Sequence, residues 1–532
     1  MKYGFLFGAG AEMGYGLPSG GRFALDIFRH DSSKSKQEFK DMRGAVDTTT
    51  NYAYQWLPAD FRNKNISSFG RSVFQNIITD TIGNNRTRII EKINRFDEVA
   101  RAEEENLNRK KGVNVTGIIE EILDRKVDDI HLGQNIAFIP ELAAGNELFN
   151  SSYFSALLML YKKKDVFSAE TRKKLGKILL SIIQFQIGAL GEALSHKIND
   201  SVFSKKDDEI DIFDDIGEII QLNYSSSGLS GMEYLLDKPE FNGIDDETII
   251  LQFAHNILES IYASVLDYKS LIDANWHYLY SPASDWAKFC KICIFLLNVR
   301  DYISGAAKDI DFSVRRGYYQ MLREALDAEK FEVSAIATTN YNHFIVDLLK
   351  KNVVFLNGST ELWYDPYLNR IGEKDKLSTQ ENHILVPLIF TQSGTKPITS
   401  IEMSSEYVDT YRAWKESDAI VIVGFGFGQD DEHINGILRT LVDVDDRKLI
   451  IVTLSGTSKE IAQKLKVRKK ERKRIFKLCL LISLELLLIR NYGRRFLQNK
   501  VVLDGRKLCL VCLYLPSSIN VFLSRSFMKT LL

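Results

Sequence analysis

The stretch YGFLFGAGAEMGYGLPSGG, Tyr3 to Gly21, decides how this chain is read. Tyr3 to Ala9 is a short apolar and aromatic run that stops at Gly8 and Gly10, as a buried strand does when it ends in a tight turn. A loop marked by glycine and proline follows, Gly14 to Gly21, and Phe23, Ile27 and Phe28 then recur at helical spacing. In a strand, glycine loop and helix arranged this way, bare backbone N–H groups can approach a phosphate while a helix N-terminus adds positive potential. The spacing Gly8, Gly10, Gly14 departs by one residue from G-x-G-x-x-G, so the segment alone fits equally a loop that glycines merely turn.

The partners expected for this first strand lie far along the chain. Strand signals return after residue 330 at Val333 to Ala337, Val353 to Leu356, Ile384 to Ile389, Ala419 to Val423 and Lys448 to Leu454. Helical patterns at Tyr341 to Lys350 and Ser405 to Glu416 alternate with them, which argues for a parallel sheet. The first strand is expected to join this set. Between them, residues 31 to 330 read as amphipathic helices, with Leu175, Leu179, Ile182, Ile183, Ile187, Leu190 and Leu194 three or four apart. Further helices are expected near 245 to 270, 283 to 300 and 313 to 328. The fold class is therefore α/β, a Rossmann-like parallel sheet interrupted by a large all-helical insertion. Its segments are residues 1–30, the insertion 31–330, the remainder of the sheet 331–460, and a basic then leucine-rich tail, 461–532. For the tail from about 467 onward, one reading is sequence produced by a shifted reading frame. A basic nucleic-acid-binding tail is ranked below it, because aromatic residues do not interleave with its charges.

Bulk properties exclude several classes. At 532 residues, two or more domains are expected, and 45% hydrophobic with 26% charged residues is ordinary for a globular protein. A net charge of -1 gives no field to steer the whole protein onto nucleic acid or an anionic membrane. Five cysteines make no disulfide framework, and Cys290 and Cys293 read as one buried helical face and not as metal ligands. The glycine-broken N-terminus lacks a secretory signal, and no apolar run spans a bilayer, so a cytoplasmic protein is expected.

Three further constellations stand at strand ends. Thr338, Thr339, Asn340, Tyr341 and Asn342 follow the second strand, where α/β sheets bind ligands, although on its own Asn340 reads as the cap of the helix Tyr341 to Lys350. Phe355, Leu356, Asn357, Gly358 and Ser359 follow the third. After Ala419 to Val423 comes GFGFGQDDEHIN, in which Gly424, Gly426 and Gly428 form a bare loop and Asp430, Asp431 and Asn435 lead into a helix.

Taken in order, Gly-Ala-Gly with a downstream Pro, T-T-N-Y, a Gly-Ser turn, and V-G-F-G-F-G before D-D-x-x-I-N resemble the sirtuin superfamily. They look most like its bacterial sirtuin-like members in anti-phage defence, which hydrolyse NAD. The resemblance covers residues 1 to about 30 and 331 to about 460. It implies that Gly8, Ala9, Gly10 and Pro18 line the dinucleotide, that Asn340 sits at the nicotinamide ribose, and that Gly424, Gly426 and Asn435 hold the adenosine side. Glu12, Thr339, Asn342, Gly358, Ser359 and Gly428 complete the expected NAD-binding set, with Asn340 and Asn357 as the catalytic pair and no metal.

The chain departs from that family at informative places. Where the family's turn reads L-H-G-S, Asn357 stands in place of the histidine, and an amide cannot accept a proton near neutral pH. Asn342 likewise replaces a frequent aspartate, and the zinc ribbon of deacetylating sirtuins is missing. Other titratable candidates are His343, His433, Glu432 and Glu12. Because nicotinamide cleavage passes through an oxocarbenium-like state, positioning can carry much of the rate, so NAD hydrolysis is the leading expectation. The resemblance also implies a homo-oligomer or a defence-system partner. Binding of NAD or an ADP-ribose derivative without turnover is the alternative, and a purely helical scaffold the third.

Overall fold

The computed structural model describes residues 1–18, 20–69, 79, 81–131, 147–163, 165–190, 235–236, 239–266, 276–308, 310–313, 317–377, 381–389, 400–428, 431–453 and 457–479. Within them, β1 (Lys2–Phe7) is the hub of a parallel sheet. It pairs on one side with β2 (Glu332–Thr338), which pairs with β3 (Val354–Phe355). The three strands that complete the second sheet come between β3 and the next parallel strand: β4 (Gly358–Asp365), β5 (Arg370–Gly372) and β6 (Val386–Ile389). On its other side β1 pairs with β7 (Ala419–Val423), followed outward by β8 (Lys448–Thr453) and β9 (Ile475–Cys479). The resulting order, β3-β2-β1-β7-β8-β9, is that of a doubly wound, Rossmann-like sheet.

Burial explains why the central strands are apolar without alternation. Tyr3, Phe5, Leu6 and Phe7 are all buried, as are Ile420, Ile422 and Val423 of β7 and Leu449 to Val452 of β8, because parallel strands are covered on both faces. Gly4 breaks the run for a reason of space. A Cβ there would meet Trp414 Cδ1 at 2.3 Å, and Trp414 on the helix Ile401–Lys415 is itself fully buried, its Nε1 donating to Ala335 O.

The second sheet, β5-β4-β6, is antiparallel. Here the structure corrects an expectation: Ile384 to Ile389 supplies β6 of this sheet, not a strand of the parallel one. Its core includes His383, whose Nδ1 lies 2.7 Å from Asp365 Oδ2 and Nε2 2.9 Å from Glu381 Oε2, with the Tyr52 ring stacked on it at 4.0 Å.

The described chain separates into two compact units. One holds both sheets and comprises Met1–Ser19, Asp31–Ser68 and Ile272–Leu532. The other, Gly20–His30 with Phe69–Leu271, is helical, its core built from Ala169–Leu190, Asp246–Ala263 and Phe96–Lys111 among others. The divisions expected near residues 30 and 330 do not coincide with this one. Helices Ser33–Ala45 and Trp286–Lys308 fall in the sheet unit, the latter burying Cys290 and Cys293, while Gly20–Arg29 falls in the helical unit. In the helical unit Glu259 is buried, which opposes its charge, but Arg29 Nη1 at 2.9 Å and Arg22 hold its carboxyl below the usual range.

The alternation of helix and strand does not stop near residue 460. Thr457 caps the helix Ser458–Lys464 through a capping box, and the chain then returns as β9, registered on β8 from Leu449 opposite Ile475 to Thr453 opposite Cys479. Leu194 and the leucine-rich tail beyond Cys479 lie outside the described residues. Among the described residues no helix is long and apolar enough to cross a membrane.

Candidate functional site

Strand order reverses between β1 and β7, and there the chain segments leaving the carboxyl ends of β1, β2, β3 and β7 are bonded to neighbouring strands and to one another. Gly8 N donates to Val423 O and Gly10 N to Gly424 O, each at 2.9 Å. Thr339 N donates to Phe7 O at 2.9 Å, and Leu356 N to Thr338 O at 2.9 Å. In open α/β sheets the crevice outside such a reversal is where ligands bind. The separated sequence fragments therefore do meet at one sheet edge.

What the glycines do there differs from the expectation of bare loops. A Cβ on Gly8 would lie 2.7 Å from Gly424 O, and one on Gly10 would lie 2.8 Å from Gly424 Cα. Gly424 has φ +65° and would place a Cβ 2.3 Å from Ala11 N. These three glycines let the first and fourth loops pack backbone against backbone. Gly426 alone among the fourth-loop glycines 424 and 426 has open space around it, flanked by buried Phe425 and Phe427, whose rings meet edge to face at 5.1 Å. Ala9 is exposed and Pro18 half-buried. The helix that starts at Gly8 is the short Ala9–Met13, not the one containing Phe23 and Ile27. Gly358, with φ +83°, approaches Leu388 O so closely that a Cβ would sit at 1.9 Å; its role is in the antiparallel sheet. Ser359, buried beside it, accepts from Glu361 N.

The polar centre of the edge is a cluster the sequence only partly announces. Asn340 does not cap a helix: Phe344–Leu349 begins after His343, and Asn340 Nδ2 donates instead to Gly8 O at 3.0 Å and approaches Tyr319 Oη at 3.5 Å. Glu12, only 4% exposed, accepts from Asn342 Nδ2 at 2.8 Å and from Tyr319 Oη at 3.1 Å. Burial pushes the Glu12 carboxyl up to about 7, against the hydrogen bonds of Asn342, Tyr319 and Asn340, which favour the charged form. Tyr319 N in turn donates to Tyr15 Oη at 3.0 Å, and Tyr15 Oη donates to Gln320 Oε1 at 2.6 Å. Asn342 Oδ1 is buried without a hydrogen-bond partner among the described residues.

A second group lies on the β3 and β7 side. Asn357 is fully buried, its Nδ2 donating to Thr339 O at 3.3 Å, and His433 Nε2 stands 3.3 Å from its Oδ1. His433 also meets the Tyr407 ring edge to face, and Tyr407 Oη donates to Leu356 O. Asn435 Nδ2 donates to Gly428 O at 2.7 Å, while its buried Oδ1 has no hydrogen-bond partner among the described residues. Of the remaining titratable candidates, Glu432 is paired with Arg439 and Lys466, and the His343 ring stacks on Phe355.

Residues that sequence reasoning missed are Tyr15 and Tyr319, which complete the Glu12 cluster from the first loop and from the helix Tyr318–Asp327. The available signal was Glu12 itself, a carboxylate set in a glycine loop that has to be buried beneath it. Among the described residues no group of three or more His, Cys, Asp or Glu is arranged to hold a metal. A cleft of about 850 Å³ lies at the opposite, amino end of β1 and β2, lined by Met1, Lys2, Glu332 and Lys351 and by none of the candidate residues. No protein-family model, curated protein or solved structure matches the chain.

Proposed function

We propose that the carboxyl edge of the parallel sheet binds NAD and that the protein cleaves it to nicotinamide and ADP-ribose, as its resemblance to sirtuin-like defence proteins implies. The observation that carries this reading is the bonding of the first and fourth loops across the strand-order reversal, with Glu12, Asn340, Asn342 and Asn357 buried behind them. Buried polar groups cost stability unless satisfied, so such a concentration at a sheet edge is typical of a binding site.

Within that reading, Asn340, anchored on Gly8 O, orients the nicotinamide ribose or the attacking water. The bond that breaks already has a cationic leaving group, so positioning and a nearby negative charge stabilise the oxocarbenium-like state without a strong base. Glu12 can take the proton that water releases, because its carboxyl titrates near neutrality. His433 supplies the imidazole absent at Asn357. The helical unit serves to sense a trigger or to assemble a homo-oligomer or a complex with a defence partner in the cytoplasm.

Purified protein incubated with NAD should release nicotinamide, and Asn340→Ala should lower that rate about 100-fold, the cost of misplacing a reacting group. Failure to bind NAD would end this reading. Binding without turnover is the second reading, and it is favoured by one observation: Asn357 is fully buried with both ends of its amide engaged.

A further inference from the structure

We infer that Glu12 sets which end of the Asn342 amide the site offers to a ligand: the carboxylate holds Nδ2 and leaves Oδ1 as an acceptor, and the neutral carboxyl reverses the amide and offers a donor. The inference rests on the reading of this sheet edge as a nucleotide site.

A carboxylate can only accept hydrogen bonds, and here each of its oxygens receives one, Oε1 from Tyr319 Oη at 3.1 Å and Oε2 from Asn342 Nδ2 at 2.8 Å. That contact forbids the opposite amide orientation while Glu12 is charged, since Asn342 Oδ1 would then face a carboxylate oxygen. The consequence is a buried Oδ1 without a hydrogen-bond partner among the described residues, on a residue only 7% exposed. Leaving such an acceptor empty costs stability, which a ligand hydroxyl or amide donor offsets on binding.

Protonation changes the demand. The neutral carboxyl must donate, and the Tyr319 oxygen is already approached by Asn340 Nδ2 at 3.5 Å. Asn342 can become the acceptor by a half-turn of its amide without any backbone movement, and its NH₂ then takes the position Oδ1 held. The titratable groups facing Glu12 are Tyr15 from its own segment and Tyr319 from the helix Tyr318–Asp327. Burial raises both, so each stays neutral across the physiological range. Asn340 and Asn342, from the segment after β2, do not titrate. The switch therefore belongs to Glu12, and its carboxyl, pushed up by burial to about 7, populates both states near neutrality.

The test measures NAD affinity by calorimetry at about pH 5.5 and about pH 8.5, either side of that midpoint, for the full chain and for Glu12→Gln, a neutral group of the same shape. In parallel, the Asn342 side-chain amide is followed by NMR in asparagine-labelled protein, assigned with Asn342→Ala. Expected are at least about tenfold tighter binding at the higher pH, loss of that difference in Glu12→Gln, and an Asn342 amide titration that the same substitution removes. Binding that is equal at both pH values, or a pH dependence that survives Glu12→Gln, overturns the inference. If NAD does not bind at either pH, the proposed function fails, and the NMR arm alone decides the switch: a Glu12-dependent titration of Asn342 retains it, and a flat profile removes it.

Discussion

His433 Nε2 lies 3.3 Å from Asn357 Oδ1, so a histidine from the helix Glu432–Asp443 meets the fully buried amide that follows β3. Because Asn357 Nδ2 is committed to Thr339 O, its oxygen accepts from His433 Nε2–H. His433→Ala is expected to lower nicotinamide release at least about 100-fold, the usual contribution of a placed acid or base. Asn357→His forces a larger ring into a fully buried position and should cost about 1–3 kcal/mol in thermal unfolding. Unchanged turnover in His433→Ala would remove the histidine from the mechanism.

Gly424 and Gly426 should respond in opposite ways to the same added methyl group. Gly424 sits at φ +65° with Ala11 N only 2.3 Å from its would-be Cβ, so Gly424→Ala adds left-handed strain to a backbone collision. A loss of about 2–4 kcal/mol in denaturant unfolding is expected, together with loss of NAD binding. Gly426→Ala enters open space and should stay within about 0.5 kcal/mol of the parent.

Glu12 makes stability depend on pH. Its carboxyl is raised from 4.5 in the unfolded chain to about 7 in the fold, so the folded state binds the extra proton between those values. Its contribution is complete below about pH 4.5 and is lost as pH rises through about 7, amounting to roughly 3 kcal/mol at 1.36 kcal/mol per unit. Glu12→Gln should flatten this part of the stability profile, measured as unfolding midpoint against pH. An unchanged slope would show that Glu12 is not the group responsible.

His383 predicts a second pH effect, in the antiparallel sheet. Burial opposes its charge, but the hydrogen bonds and charges of Asp365 and Glu381 outweigh burial and raise it above 6.5. Its contribution is therefore present below about pH 6.5 and lost as pH rises through the folded value. His383→Ala removes the Nδ1 partner of Asp365, which is fully buried and keeps its bonds from Tyr367 N and Leu368 N, and should cost about 1–3 kcal/mol by calorimetry.

The parallel sheet was legible because each of its main strands is an apolar run ending in glycine or in polar residues. Val333 to Ala337 and Ala419 to Val423 were found to within a residue at each end. The antiparallel sheet was not, since Gly358 to Asp365 lacks clean alternation and the apolar run Ile384 to Ile389 carries no mark of which sheet it joins. Asn340 misled for a different reason. Capping depends on where the helix begins, and Tyr341 to His343 intervene before Phe344. The Glu12 cluster depends on Tyr319, more than three hundred residues away, and no local pattern could pair them.

The middle position of β1 also has a cost during synthesis. Its neighbours, Glu332–Thr338 and Ala419–Val423, follow it by more than three hundred and four hundred residues. At about 5–20 residues per second the ribosome takes on the order of tens of seconds to deliver the nearer one. Throughout that interval Phe5, Leu6 and Phe7 have no sheet to enter, so their apolar surface waits on the far end of the chain for its cover.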